Sequence, residues 1–419
     1  MDPSTSEFIS FHSTFAPPYV HYSIVPATQH RSRKVSEIEQ VHFLTAPVSG
    51  ISSAKMMHDF GVSRLYTIIM DLPLSLDPLN LVKNKAVVSY DPTSRSRFGI
   101  FPRYQPDKPR WFETSACCIF HTANSWDSTI KDLGTGQEVP AVNMLACRLT
   151  SASLVFSAGD LAAPVPTKSI PAADREEEQC RLYYYQFPLS QDKNTIAHQW
   201  ALSAIPFEFP TLRNSVSMSA AKYIYGCSVS DSSFGAALGR AVKIDSLVKV
   251  DVETLIQRGI RNPPQQIKGC VDTRTVVEVF ASQNPEDPIK VFKMPPGWYA
   301  QEPRFVPRHN GSCEDDGYLL SYVFDESQLG PDGECGKDAK SELWVIDAKG
   351  MKDVLARVNL PQRVPYGLHG NWFEEREIKD QRPVETVRRL PVSSEKTEQG
   401  SLGWRTWMRM RGTMERWVA

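Results

Sequence analysis

Short apolar runs, separated by glycine, proline and small polar residues, recur along the whole chain. Leu65–Met70 (LYTIIM), Ala86–Tyr90 (AVVSY), Phe98–Pro102 (FGIFP), Leu182–Phe187 (LYYYQF), Thr275–Phe280 (TVVEVF), Tyr318–Phe324 (YLLSYVF) and Leu343–Asp347 (LWVID) are all about the length of a strand. They are rich in Val, Ile, Tyr and Phe, which suit a pleated surface, and turn residues bound them. Long segments with a 3.6-residue apolar period are scarce. The pattern predicts a mostly-β architecture of many strands: a sandwich, a barrel or a propeller. No internal repeat marks individual blades, so periodicity leaves these three open.

Two stretches interrupt the pattern. Ser157–Gln179 is Ala/Pro-rich and then acidic, as expected of a surface insertion. Residues 374–419 read as a polar linker followed by a basic, Trp-rich segment, Trp404–Val418 (WRTWMRMRGTMERWV). As a helix that segment would gather Trp404, Trp407, Met408, Met414 and Val418 near one face. Peripheral contact with a membrane surface is one expectation for it; docking onto the body is the other. The predicted organisation is therefore one β-domain over 1–373 and a separate terminal region over 374–419.

With 419 residues, 41% of them hydrophobic and 23% charged, the chain has material for a large core. A formal net charge of −1 provides no basic field for nucleic acid. No apolar run reaches the 18 residues a membrane span needs, and MDPSTSEF lacks the features of a secretory signal. Eight cysteines without a CxxC pair argue against a disulfide scaffold and against structural zinc. A reducing, cytoplasmic setting is expected, with the Asn310-Gly311-Ser312 sequon unused. No G-x-S-x-G, P-loop, Rossmann or HExxH signature is present.

Candidate chemistry centres on histidine. His58 (KMMHDFGVS), His121 (CIFHTANSWD) and His369 (RVPYGLHGNWF) sit at junctions between apolar and polar sequence, where strand ends meet a cavity. Around His369, Gly367 and Gly370 permit close backbone approach, and Tyr366, Trp372 and Phe373 offer apolar walls. The other six histidines lie in polar contexts. Glu208 (PFEFP) and Glu302 (QEPRFVP) are acids among aromatics and prolines, costly to bury without a partner. The ring N–H of a metal-bound histidine would be such a partner, fixing its tautomer and orientation. An imidazole site for iron, copper or zinc is one reading of these residues. Satisfied core histidines and ion-paired glutamates are the other.

The segments MHDFGVS, FHTANSWD, PFEFP, EPRFVPR, EDDGYLLSYVFD, SELWVIDA and VPYGLHGNWF occur in the order found in the carotenoid cleavage oxygenases. That family includes plant carotenoid dioxygenases, the vertebrate retinoid isomerase and lignostilbene dioxygenases. The chain resembles it from about Asp2 to Phe373. FHTANSWD and PPYVHYSIVP look most like the fungal branch that cleaves torulene and apocarotenoids, and the stilbene-cleaving branch is the nearer alternative. The resemblance implies a seven-bladed β-propeller whose axis holds Fe(2+) by four histidines, with three glutamates orienting three of the rings. His58 resembles the second ligand, His121 the third and His369 the fourth. Glu208 resembles the glutamate behind the third ligand, and Glu302 the one behind the fourth.

One departure from the family pattern stands at the front of the chain. The family's first ligand lies in a T-A-H-P-K-like segment followed by a D-P-x-T-G-E-L-like turn. Here DPSTSEFISF begins at Asp2, and Met1 occupies the lysine-like position. The resemblance therefore implies an incomplete propeller. The first histidine, the first orienting glutamate and the N-terminal blades with their closing strands lie outside this sequence, and His58 has no orienting carboxylate.

The expected partners are a hydrophobic polyene and O2, with one conjugated C=C split into two carbonyl products. Phe60, Phe120, Trp126, Phe207 and Phe373 are candidate tunnel-lining residues, with ordinary core packing as the alternative for each. A catalytically inactive fragment and a non-catalytic β-propeller binding module are the competing readings of function.

Overall fold

The computed structural model describes residues 1–25, 43–80, 82–83, 86–131, 136–152, 155, 179–190, 194–230, 243–267, 269–282, 284–367 and 369–379. Almost all of the expected insertion and the whole of Trp404–Val418 lie outside these residues. The chain divides into two units, Met1–Gly370 and Asn371–Ala419.

Successive antiparallel meanders make up the first unit. Strands β1 (Phe8–Ser13), β2 (Val20–Val25) and β3 (Phe43–Pro47) pair in chain order. The next sheet joins β4 (Gly61–Val62) and β5 (Tyr66–Asp71) to β8 (Ser96–Pro102) and β9 (Arg110–Thr114). Between them, β6 (Leu74–Leu76) and β7 (Val88–Tyr90) form a separate hairpin. A third sheet runs β10 (Cys118–Lys131), β11 (Glu138–Leu149), β12 (Cys180–Pro188) and β13 (His198–Ser203). The fourth runs β14 (Glu208–Thr211), β15 (Tyr223–Ser228), β16 (Ser246–Asp251) and, beyond β17, β18 (Ile289–Lys293). Strand β17 (Cys270–Asp272) leaves this fourth meander to pair in parallel with β13, on the outer edge of the third sheet. The fifth sheet contains β19 (Trp298–Ala300), β20 (Arg304–Pro307), β21 (Gly317–Asp325), β22 (Glu342–Asp347) and β23 (Val354–Asn359).

The sheets stack face to face, which explains why several strands are apolar on both sides instead of alternating. Successive side chains along a strand point to opposite faces. In β5, Ile69 packs with Ile9, Val20, Tyr22 and Phe101 between the first and second sheets. Its neighbours Ile68 and Met70 pack with Val142, Met144, Tyr183 and Tyr185 between the second and third. In the same way Leu145 and Cys147 of β11 face the fourth sheet, in one core with Ile224, Val248 and Leu319. The first strands of consecutive sheets meet, β10 touching both β4 and β14, so one end of each of these meanders faces a common centre. This is the arrangement of blades around a propeller axis.

Two local expectations change. Thr275–Phe280 is not a strand: helix α2 (Val276–Ala281), which follows α1 (Val252–Arg261), starts at Thr275. A capping box decides it, because the Thr275 hydroxyl accepts from the Glu278 amide while the Glu278 carboxylate accepts from Thr275. The start of the expected linker is also helical, since the second unit contains the short α3 (Glu375–Lys379).

Candidate metal centre

The candidate ligands and their glutamates sit at strand ends or just beyond them. His58 stands three residues before β4. His121 lies near the start of β10, where the β10–β11 register shifts between Ile119 and Thr122 and again between Thr122 and Asn124. Such bulges re-aim side chains beside functional sites. Glu208 opens β14, where the register against β15 also shifts, between Glu208 and Thr211. Within that shift Phe209 adopts φ +54°, a left-handed conformation that costs a bulky residue about 1–3 kcal/mol. Gly226, opposite, is needed for closeness: a Cβ there would stand 2.5 Å from the Phe207 ring and 2.8 Å from the Glu208 carbonyl. Glu302 precedes β20, and His369 follows β23 near the end of the first unit.

These elements bring the three histidines together although they are far apart in sequence. The His58 and His121 ring centres are 5.1 Å apart and nearly perpendicular. His121 and His369 are 5.0 Å apart, and His58 and His369 6.5 Å. Behind two of the rings stand the two glutamates: His121 Nδ1 is 2.6 Å from Glu208 Oε2 and His369 Nδ1 is 3.0 Å from Glu302 Oε2. Both carboxylates also take a backbone amide, from Phe209 and from Gly370 respectively. His58 has no carboxylate; its Nδ1 lies 3.0 Å from the Phe120 carbonyl. A carbonyl can only accept, so that contact leaves the His58 Nε2 lone pair free.

The electrostatics follow from these contacts. Burial works against a charged His121, but the adjoining Glu208 carboxylate outweighs it and raises the pKa above its usual 6.5. Burial, reinforced by repulsion from His121, lowers that of His58. Asp59 accepts from the Phe60 amide through Oδ1 and from the Thr122 amide and hydroxyl through Oδ2. Burial nevertheless pushes its carboxyl upward. Glu208 is only 1% exposed, whereas the His369 side chain is open to solvent.

The donor set suits a divalent cation. Because both Nδ1–H groups are given to carboxylates, the Nε2 atoms of His121 and His369 confront each other with lone pairs across 3.2 Å. Such a pair needs a positive charge between its members, either a shared proton or a metal ion. Nitrogens bound to one ion at about 2.1 Å stand about 3.0 Å apart at a right angle and about 3.4 Å apart at the tetrahedral angle. The observed separation falls between them. Among the described residues, however, no three His, Cys, Asp or Glu donors close into a finished metal-binding geometry.

The candidate tunnel residues are dispersed. Phe120 meets His58 edge to face at 5.5 Å. Phe60 packs against Phe11 instead, and Phe207 is buried in the core between blades. Trp126 lines a groove of about 530 Å3 along the far half of β10, together with Tyr184, Asn143 and Ile256. Phe373 belongs to the second unit and is 57% exposed. A second ring packs against the histidines and was not among those expected: Phe209 is 5.3 Å from His121 and 5.8 Å from His369. Asp59 was likewise missed, and its position directly after His58 was the available signal.

Stacked antiparallel blades converging on carboxylate-backed imidazoles define a propeller protein with a histidine centre. The chain belongs to the family described as retinal pigment epithelial membrane protein, whose model matches residues 1–374. Carotenoid dioxygenase carX of Gibberella fujikuroi is 50% identical over all of this chain and 64% of its own length. A carotenoid 9,10(9',10')-cleavage dioxygenase of Crocus sativus is 31% identical over 90% of this chain and 57% of its own. The chain thus spans somewhat under two thirds of these relatives. Among solved structures, the lignostilbene dioxygenase of Pseudomonas brassicacearum superposes with a TM-score of 0.61 at 17% identity, over 88% of this chain and 63% of the other. The apocarotenoid oxygenase of Synechocystis gives 0.57 at 17% identity, over 89% and 63%. These likenesses carry the β-propeller fold.

Proposed function

We propose that this chain uses Fe(2+) and O2 to cleave one conjugated C=C of a carotenoid or apocarotenoid, leaving two carbonyl products. The observation that carries this reading is the pair of Nε2 atoms facing across 3.2 Å, each on a ring whose Nδ1 is held by a glutamate. His121, His369 and His58 would hold the iron, which when bound supplies the activation of O2 that an alkene does not undergo unaided. The chain's own part is geometry and electrostatics. Glu208 and Glu302 fix tautomer and ring plane and make the imidazoles more basic. Phe209 and Phe120 line the rings with apolar surface, which a polyene can cover and water cannot solvate well. The identity to a carotenoid dioxygenase favours a polyene over a stilbene, because the likeness to the lignostilbene enzyme reaches only the fold.

The test is direct. The purified 419-residue chain, reconstituted with Fe(2+), is expected to retain about one iron and to bleach an apocarotenal only in the presence of O2, with both aldehydes recovered. A stilbene in the same assay is expected to remain intact. No iron retention and no bleaching, under conditions in which a full-length relative shows both, would overturn the proposal.

A further inference from the structure

We propose that Asp59 and Thr122 form a clasp that positions His58 against His121 by tying together the two segments that carry them. The inference rests on the metal-centre reading above and concerns residues to which that reading gives no task.

Among the described residues, the His58 Nδ1 meets a backbone carbonyl. That carbonyl belongs to Phe120, the residue immediately before His121. Contacts in the opposite direction come from the residue after each histidine. Asp59, next to His58, accepts through Oδ2 from the amide of Thr122 at 2.7 Å and from its hydroxyl at 2.8 Å. Thr122 directly follows His121. The second oxygen of Asp59 is held by the Phe60 amide at 2.8 Å, so the carboxylate cannot rotate freely. The Thr122 hydroxyl also lies 3.3 Å from the Phe60 carbonyl. The His58–Phe60 and Phe120–Thr122 segments are therefore laced together in both directions.

The lacing occurs where the sheet ladder gives least support. Register shifts flank Thr122 on both sides, so ordinary pairing with β11 does not fix the direction of the His121 segment. His58 lies outside any strand. A ligand set must be held within about 0.5 Å of its working geometry. Side-chain hydrogen bonds between the two segments supply that constraint here. The nearly perpendicular arrangement of the His58 and His121 rings, 5.1 Å apart, is what the clasp maintains.

Three variants and two measurements test this. Asp59→Asn keeps the shape but presents an amide hydrogen to a donor that the carboxylate accepted. Thr122→Val removes the hydroxyl bond and keeps the amide bond, and Thr122→Ser restores the hydroxyl. With Co(2+) as the probe, D59N is expected to weaken binding about 10–100-fold, the usual cost of losing an orienting partner, and to shift the visible ligand-field bands. T122V should do the same more weakly, and T122S should match the unsubstituted chain. D59N and T122V should lower the melting temperature by no more than the loss of these hydrogen bonds entails, and T122S should retain it. Wild-type affinity and wild-type bands in D59N would overturn the clasp.

The second measurement needs no metal. In the metal-free chain, nitrogen NMR of labelled histidine should find His58 in a single Nδ1–H tautomer, and D59N should mix the two tautomers. An unchanged tautomer in D59N would overturn the clasp. If the unsubstituted chain took up no Co(2+), the proposed function would fall, and the tautomer result would still decide the clasp. If D59N did not fold, the contrast between T122V and T122S would decide it in both measurements.

Discussion

Between Ile119 and Asn124, strand β10 twice falls out of step with β11; from Asn124 to Lys131 every residue has its partner in turn. The irregular end carries His121, with its charged neighbours Glu208 and Asp59. The regular end carries a neutral network: Tyr184 and Gln186 both donate to Asn143 Oδ1, while Asn143 Nδ2 donates to Ser128 and to the Trp126 carbonyl. The two ends use polar groups for different purposes. Neutral amides and a phenol satisfy one another and hold the ladder. Glu208 at the other end, like Glu302, is paired with an imidazole, and the remaining nitrogens of those two rings face one another. One strand thus separates hydrogen bonding that stabilises from hydrogen bonding that aims.

That separation can be tested by substitution. The largest effect is expected for His121→Ala, which should lower Fe(2+) or Co(2+) affinity more than about 100-fold, beyond what loss of an orienting partner costs; calorimetric titration reads it. Next, Glu208→Gln should weaken metal binding about 10–100-fold and leave the ring in place. A result equal to wild type would mean that the Glu208 contact serves the fold alone. A third site, where charge acts only as glue, sharpens the contrast. Arg274 forks between Asp272 of β17 and Asp287 just before β18, tying one blade to the next. Burial would raise the Asp287 pKa, but hydrogen bonds from Arg274 outweigh it and lower it from 3.8 to about 2. Its contribution is therefore present above about pH 3.8 and is lost as the pH falls through 2. At about 1.4 kcal/mol per unit it amounts to at most about 2.5 kcal/mol, less after solvent screening. Urea titrations at pH 5 and pH 2 should show the loss, and Asp287→Asn should abolish this part of the pH dependence. The smallest effect belongs to the regular end of β10: Ser128→Ala should cost about 1 kcal/mol in chemical denaturation, with metal affinity unchanged.

The strands were legible in the sequence wherever both faces are buried. LYTIIM and LYYYQF are largely apolar on both faces because a blade lies on each side of them, and they appear as β5 and β12. Thr275–Phe280 misled because its alternating valines satisfy a strand pattern while the capping box is a pair of contacts three residues apart, which outweighs β preference locally. The candidate ligands were legible as residue types at junctions and through the order of their motifs. Their convergence was not, since it depends on pairings between blades. Phe209 escaped notice because a positive φ leaves no trace in composition, and because aromatics flank Glu208 on both sides in PFEFP. Asp59 and Thr122 were visible only as neighbours of histidines, and the contacts that matter cross between segments.

Strand β17 is lent by the fourth meander to the rim of the third. Separating the two meanders must therefore break the β13–β17 backbone bonds, so the two should lose protection from amide exchange together and melt in a single transition. The loan also hides the outermost backbone groups of β13 at Ala201 and Ser203, a row that would otherwise be free to recruit a strand from another molecule.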